Sequence, residues 1–168
     1  KNGYEVYLVA RGDSYEKKGV HVVGVGTIPD SRLQRMTQGA RRVYEAALAL
    51  DCDIYHFHDP ELLPYGVMLK KKGKKVIFDS HECYSLQIAN KPYLGKLAPL
   101  VAKLYTRYEN HVLAAIDAVI FPCLMDGVNP FEGRCGKIAL VGNQPLLEEI
   151  YSEEERSFEG EQTACYVG

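Results

Sequence analysis

The chain has 168 residues, 46% of them hydrophobic and 25% charged. That is the balance of an ordinary soluble globular domain, and the length buries roughly two thirds of the unfolded surface without covalent staples. Twenty basic against 22 acidic residues leave a formal net charge of −2, so nothing global attracts nucleic acid. The five cysteines (Cys52, Cys83, Cys123, Cys135 and Cys165) are odd in number and form no C-x-x-C pair, which argues against a disulfide framework or a structural zinc and for a reducing, cytoplasmic compartment.

In chain order, short β-branched or aromatic runs bounded by Gly, Asp or Pro predict strands at Tyr4–Ala10, Val20–Val25, Ile54–His58, Lys75–Asp79, Ala118–Phe121 and Lys137–Val141. Helical patterns lie between them. Ser31–Leu50 follows the capping chemistry of Pro29-Asp30-Ser31, and Pro60–Lys72 stops at Gly73. Within Leu97–Ile116, Leu97, Val101, Leu104, Tyr108 and Val112 recur at spacings of three and four, predicting one buried face. Strands alternating with helices imply an α/β fold, a Rossmann-like parallel sheet flanked by helices. The polar stretch Glu148–Gln162 reads as a linker, and Thr163–Gly168 as a further strand. No secretory signal or membrane-length apolar run is visible. The chain opens on Lys1 and closes on a strand-like run, so the expectation is a truncated piece: a domain over 1–147 and, over 148–168, an interdomain linker with the first strand of a second domain.

In parallel sheets ligands bind outside the carboxyl ends of the strands, which directs attention to two strand-to-helix junctions. In the first, Ile54-Tyr55-His56-Phe57-His58-Asp59-Pro60-Glu61, strand alternation puts His56 and His58 on one face. Asp59 falls at a helix N-cap, Pro60 at the first helical position and Glu61 in the first turn, an arrangement that capping alone would explain. His58 at the ligand-binding sheet end is not explained that way. A His-x-His metal site lacks an indicated third ligand, so no metal is expected. The second junction, Phe78-Asp79-Ser80-His81-Glu82, sets four polar residues after an apolar strand, with no helix pattern beginning at once. A histidine beside two carboxylates can be fixed in one tautomer or tuned in charge.

The run from Asp53 to Pro64, followed by Lys74 to Glu82, resembles the N-terminal domain of family 4 glycosyltransferases, more narrowly their bacterial polysaccharide-building members. Tyr108-Glu109 with Ala115–Ile120, and Val141-Gly142-Asn143-Gln144-Pro145, are similar to later parts of that domain; the likeness covers roughly residues 1–150. The resemblance implies one half of a two-domain GT-B enzyme. That enzyme moves a sugar with retention from a nucleotide sugar to a glycan or lipid-linked acceptor, needing no metal or other cofactor. By position, His81 would bond the hydroxyls of the transferred sugar, Asp59 and Glu61 would act at the acceptor hydroxyl, and His58, Glu82 and Asn143 would line the substrate crevice. Glu109 would be structural. The family's first strand with its Gly-rich turn would lie before Lys1, and its donor-binding domain after this one, so this chain alone is expected to be inactive. Glu153 and Glu161 reproduce that domain's Glu-x7-Glu spacing, but within the linker, and are set aside.

Other readings rest on less. Gly24-Val25-Gly26 follows a strand, as in a dinucleotide-binding loop, but Pro29 stands where the third glycine belongs. A sugar-nucleotide epimerase of the same architecture needs more carboxylates than can be placed, and a non-catalytic acceptor-binding subunit would not need a linker. Two segments suit a peripheral contact with the inner face of a membrane: the basic run Lys70-Lys71-Lys72-Gly73-Lys74-Lys75 and the stretch Lys91-Pro92-Tyr93-Leu94. Lysines at a helix carboxyl end account for the first equally well.

Overall fold

The computed structural model describes residues 3–28, 31–125 and 127–142. Strand β1 (Val6–Ala10) pairs in parallel with β3 (Val20–Gly24), and β2 (Tyr15–Lys17) pairs antiparallel on the other edge of β3. The sequence reading missed β2. It is joined to β3 by a two-residue turn, Lys18 and Gly19, both at positive φ (52° and 77°), the mirror-image turn that matches strand twist. Lysine is an uncommon residue there, so the turn carried no composition signal.

The second sheet runs β4 (Ile54–Phe57), β5 (Lys75–Asp79), β6 (Ala118–Phe121) and β7 (Ile138–Leu140), all parallel. Helices connect them: α3 (Leu63–Lys71) after a 3-10 turn at Pro60–Leu62, then α4 (Tyr84–Ala89), then α5 (Ala98–Ala115) after a 3-10 stretch at Pro92–Leu97. Before β4, α1 (Arg32–Gln34), a π-helical turn (Arg35–Gly39) and α2 (Ala40–Ala49) occupy the expected helical stretch. This is the Rossmann-like α/β arrangement that the alternation predicts. The expected strand at Lys137–Val141 survives as the shorter β7, while the linker and closing strand at 148–168, and Asn143, lie outside the described residues.

The core forms where β4, β5 and β6 turn alternate side chains toward α3 and α5. Tyr55, Phe57, Val76, Phe78, Val119 and Phe121 alternate with exposed or half-buried neighbours and meet Leu63, Leu69, Val112 and Leu113. Gly66 on α3 is required by this packing, because a Cβ there would stand 2.9 Å from the Phe57 ring.

Helix α5 corrects the sequence reading of its face. The buried residues are Ala98, Ala102, Glu109, Val112 and Leu113, whereas Leu97, Leu104 and Tyr108 are 62%, 59% and 40% exposed. Small alanines let the helix approach, and the larger apolar stripe, rotated beside them, is left facing outward. Glu109, 2% exposed, accepts from the Tyr105 hydroxyl at 3.1 Å and is paired with Arg134, whose ring neighbour is Phe131. Burial, with the Glu109 carboxylate beside it, pushes the Tyr105 phenol up, so it stays a donor.

The basic run is largely committed to structure. Lys70 Nζ lies 2.8 Å and Lys75 Nζ 3.5 Å from Asp117 Oδ1, and Lys74 Nζ lies 2.7 Å from Asp51 Oδ1. Asp117 Oδ2 also accepts from the Val76 amide at 2.9 Å. The hydrogen bond from Lys70 comes first among the contacts that hold its carboxyl below the ordinary carboxylate value. These lysines stand at the amino ends of the strands, opposite the junctions of interest.

One departure from a single continuous sheet bears on the site. Among the described residues β1 and β4 do not pair with one another. Both line one cavity of about 470 Å³, with Ile28, Val43, Tyr44 and Leu62 along its walls. Leu8 and Ile54, on the two facing strands, are 50% and 48% exposed, although parallel strands are ordinarily covered on both faces. The Tyr55 hydroxyl, on a residue that also lines the cavity, is buried and has no hydrogen-bond partner among the described residues.

Candidate active site at the carboxyl ends of β4 and β5

The register of the two strands builds the site. Phe57 pairs with Phe78, so the next step brings His58 opposite Asp79, and alternation turns His56 to the same face. The three rings stack in series: His56 on His58 with centroids 4.8 Å apart, and His58 on His81 at 5.0 Å. His56 Nε2 lies 3.2 Å from Asp79 Oδ2, and His58 Nδ1 lies 3.5 Å from the same oxygen. His81 Nε2 lies 2.8 Å from His58 Nδ1 and 3.8 Å from Asp79 Oδ1. At 2.8 Å one of the two imidazole nitrogens carries the hydrogen and the other accepts it. Burial holds His58 below the ordinary histidine value, with the neighbouring His56 adding to the effect and Asp79 opposing it.

The loop after β5 is fixed beneath these rings. Ser80 is buried, its amide donates to Ile120 O at 2.8 Å, and its hydroxyl donates to Glu82 O at 2.9 Å. Helix α4 starts at Tyr84, two residues after Glu82, where the sequence predicted an open loop. Its early start aims His81 back toward β4 while the Glu82 side chain turns to Gln87 and a shallow groove with Leu86, Asn90 and Met125.

Asp59 has extended backbone (φ −90°, ψ 136°) at the N-cap position of the 3-10 turn, but its side chain makes no capping hydrogen bond. The capping explanation is thereby corrected: Pro60 and the backbone bond from the Leu62 amide to Asp59 O, 3.0 Å, suffice to turn the chain. The carboxylate is left exposed. Asp59, Glu61, His56 and His58 all border the cavity between β4 and β1. Burial, together with the carboxylates of Asp59, Glu82 and Glu61, pushes the Tyr84 phenol up to about 12, so Tyr84 stays a neutral donor.

Of the residues predicted from sequence, His58 and His81 are in direct contact and Asp59 and Glu61 stand at the same sheet end. Glu82 faces the neighbouring groove, and Asn143 lies outside the described residues. Two members were given no site role by the sequence: His56, noted only for the face it shares with His58, and Asp79. The signal for His56 was its spacing from His58; that for Asp79 appears only once the two strands are set in register.

A family model described as Glycosyltransferase Family 4 matches residues 1–125, about three quarters of the 168-residue chain, and both junctions fall within the match. No curated protein and no solved structure matches the chain.

Proposed function

The chain belongs to glycosyltransferase family 4, and from that membership we propose that it is the acceptor-side domain of a retaining GT-B enzyme. On this reading the enzyme transfers a sugar from a nucleotide sugar to a glycan or lipid-linked acceptor in bacterial polysaccharide synthesis. The observation that carries the reading is the convergence of His58 and His81, from two strands, at the sheet end where α/β folds bind ligands.

Transfer forms a bond between the acceptor oxygen and the anomeric carbon. The bond from that carbon to the phosphate oxygen breaks, and the diphosphate leaves with the electron pair. The transition state is oxocarbenium-like. His81 bonds the sugar hydroxyls, and His58 fixes the ring of His81. Asp59, free of any capping bond, and Glu61 orient the acceptor hydroxyl and receive its proton. Charge neutralisation on the diphosphate falls to the donor-binding domain, with Glu82 and Asn143 toward the crevice. The chemistry needs no resident cofactor. The test is donor hydrolysis and transfer by the full-length protein across UDP- and GDP-sugars, with this chain in parallel. Turnover by the full-length protein alone supports the half-site reading; no reaction or binding with any sugar nucleotide overturns it. A subunit that only binds the acceptor would bind glycan without turnover.

The same reading assigns the cavity between β1 and β4 to the domain's first strand. In the common doubly wound order 3-2-1-4 the first strand separates the second from the fourth, and β3, β1, the cavity and β4 follow that order. Extending the chain at its amino end by its native preceding segment is expected to raise the melting temperature by several degrees, on the scale of about 2–4 °C per kcal/mol. An unchanged melting temperature would remove the strand from the slot.

Membrane contact is assigned to α5 rather than to the paired lysines. Tyr93, Leu97, Leu100 and Leu104 are exposed, and from Lys91 to Tyr108 the chain carries Lys96, Lys103 and Arg107 but no acid, the composition of an interfacial helix. The protein is expected to float with anionic but not neutral vesicles, and Leu100→Asp with Leu104→Asp to abolish flotation. No flotation at low salt would sink this assignment. No helix of the described residues is long and apolar enough to cross a membrane; we place the enzyme on the cytoplasmic face.

A further inference from the structure

The ring cluster at the ends of β4 and β5 has a second chemical capacity. A His-x-His pair alone lacks a third ligand, but the fold supplies one: single donor atoms of His56, His58 and Asp79 all lie within 4.8 Å of one another. His81 Nε2 lies beside this trio, 2.8 Å from His58 Nδ1 and 3.8 Å from the other Asp79 oxygen, Oδ1. We propose that His56, His58 and Asp79 form a three-ligand binding site for a first-row transition ion such as Zn²⁺, with the fourth tetrahedral position open to water.

Two edges of the trio match those of a coordination shell. Bonds of about 2.0–2.2 Å to nitrogen and carboxylate oxygen imply donor-to-donor edges of about 3.3 Å in a tetrahedron. The edges from Asp79 Oδ2 to His56 Nε2 and to His58 Nδ1 are 3.2 and 3.5 Å. His58 Nδ1 would give up its hydrogen bond with His81 for a metal bond, and His56 would close toward His58. Two neutral imidazoles and one carboxylate are borderline donors that favour zinc, cobalt and copper over magnesium or calcium. Since no step of the proposed transfer uses the ion, and since it would take His58 away from His81, it is an opposing ligand: bound metal removes the brace of the ring that meets the sugar.

The occupancy part stands apart from the glycosyltransferase reading, whereas the opposing part rests on it. Co²⁺ titration of the tag-free chain tests occupancy directly. The expected result is one equivalent with the intense visible absorption of tetrahedral cobalt, no thiolate charge-transfer band, and displacement by Zn²⁺. His56→Ala and Asp79→Asn should each weaken binding at least ~10-fold with melting temperature near the parent's, and Cys83→Ser should leave it unchanged. Failure to see a tetrahedral band, or binding that survives both ligand variants, overturns the site. None of these readouts uses transfer activity, so an inactive enzyme would leave the test intact.

Discussion

Replacing His81 with alanine in the full-length protein is expected to lower turnover at least ~10²-fold, the scale of one lost transition-state contact, with the fold unchanged. The expectation follows from where the ring sits. His81 is on a loop beyond the end of β5, its side chain 40% exposed, so truncation leaves no core cavity and no large stability loss. What is lost is a polar group aimed at the sheet end and braced by His58 at 2.8 Å. A contact that strengthens as the sugar flattens toward its oxocarbenium form acts on kcat more than on KM. The assay should compare kcat and KM for parent, His81→Ala and His81→Asn, with a chelator present so that adventitious zinc does not contribute. Asparagine can still donate a hydrogen bond and should recover part of the loss. His58→Ala should cost less, because on this reading His58 positions His81 without meeting the reacting carbon. Near-normal turnover in His81→Ala would remove the residue from the chemistry and leave the histidine cluster to the metal reading alone.

How far the sequence could lead is best seen residue by residue. Alternation within β4 was enough to set His56 and His58 on one face, because side-chain period is a property of one strand. Asp79 belongs to the same cluster through strand register, which depends on pairing and is not written in either strand alone. The face of α5 was misjudged for a different reason. The rule that apolar residues are buried works in one direction only: Leu97 and Leu104 form the more hydrophobic stripe, yet small size put Ala98 and Ala102 inside and an ion pair carried Glu109 with them. Asp59 satisfied every expectation for a cap except the bond itself. The interrupted sheet follows from backbone pairing, which composition does not report.

Arg134→Ala is expected to destabilise the domain by about 3–5 kcal/mol, the cost of leaving a buried charge without its partner. The Glu109 side chain is 3% and the Arg134 side chain 15% exposed. The guanidinium joins α5 to the connection between β6 and β7: it meets Glu109, donates to Asn110 Oδ1, and reaches Pro130 O at 3.0 Å. Removing it leaves the carboxylate with the Tyr105 hydroxyl at 3.1 Å, one donor against two oxygens. For a domain of this size the loss corresponds to a fall in melting temperature on the order of 6–20 °C. Urea and thermal melts of Arg134→Ala, Glu109→Gln and the double variant Glu109→Leu with Arg134→Leu separate the causes. Glu109→Gln removes the charge and should cost less than Arg134→Ala. The apolar double variant should recover much of the loss, because replacing both partners removes the desolvation penalty along with the attraction. A loss below about 1 kcal/mol in Arg134→Ala would match a surface pair and would mean that water reaches Glu109. The pair's place beneath α5 gives the result a functional edge. If α5 is the membrane-facing helix, weakening its anchor should reduce vesicle binding and stability together, whereas the exposed-face variants Leu100→Asp and Leu104→Asp should reduce vesicle binding alone.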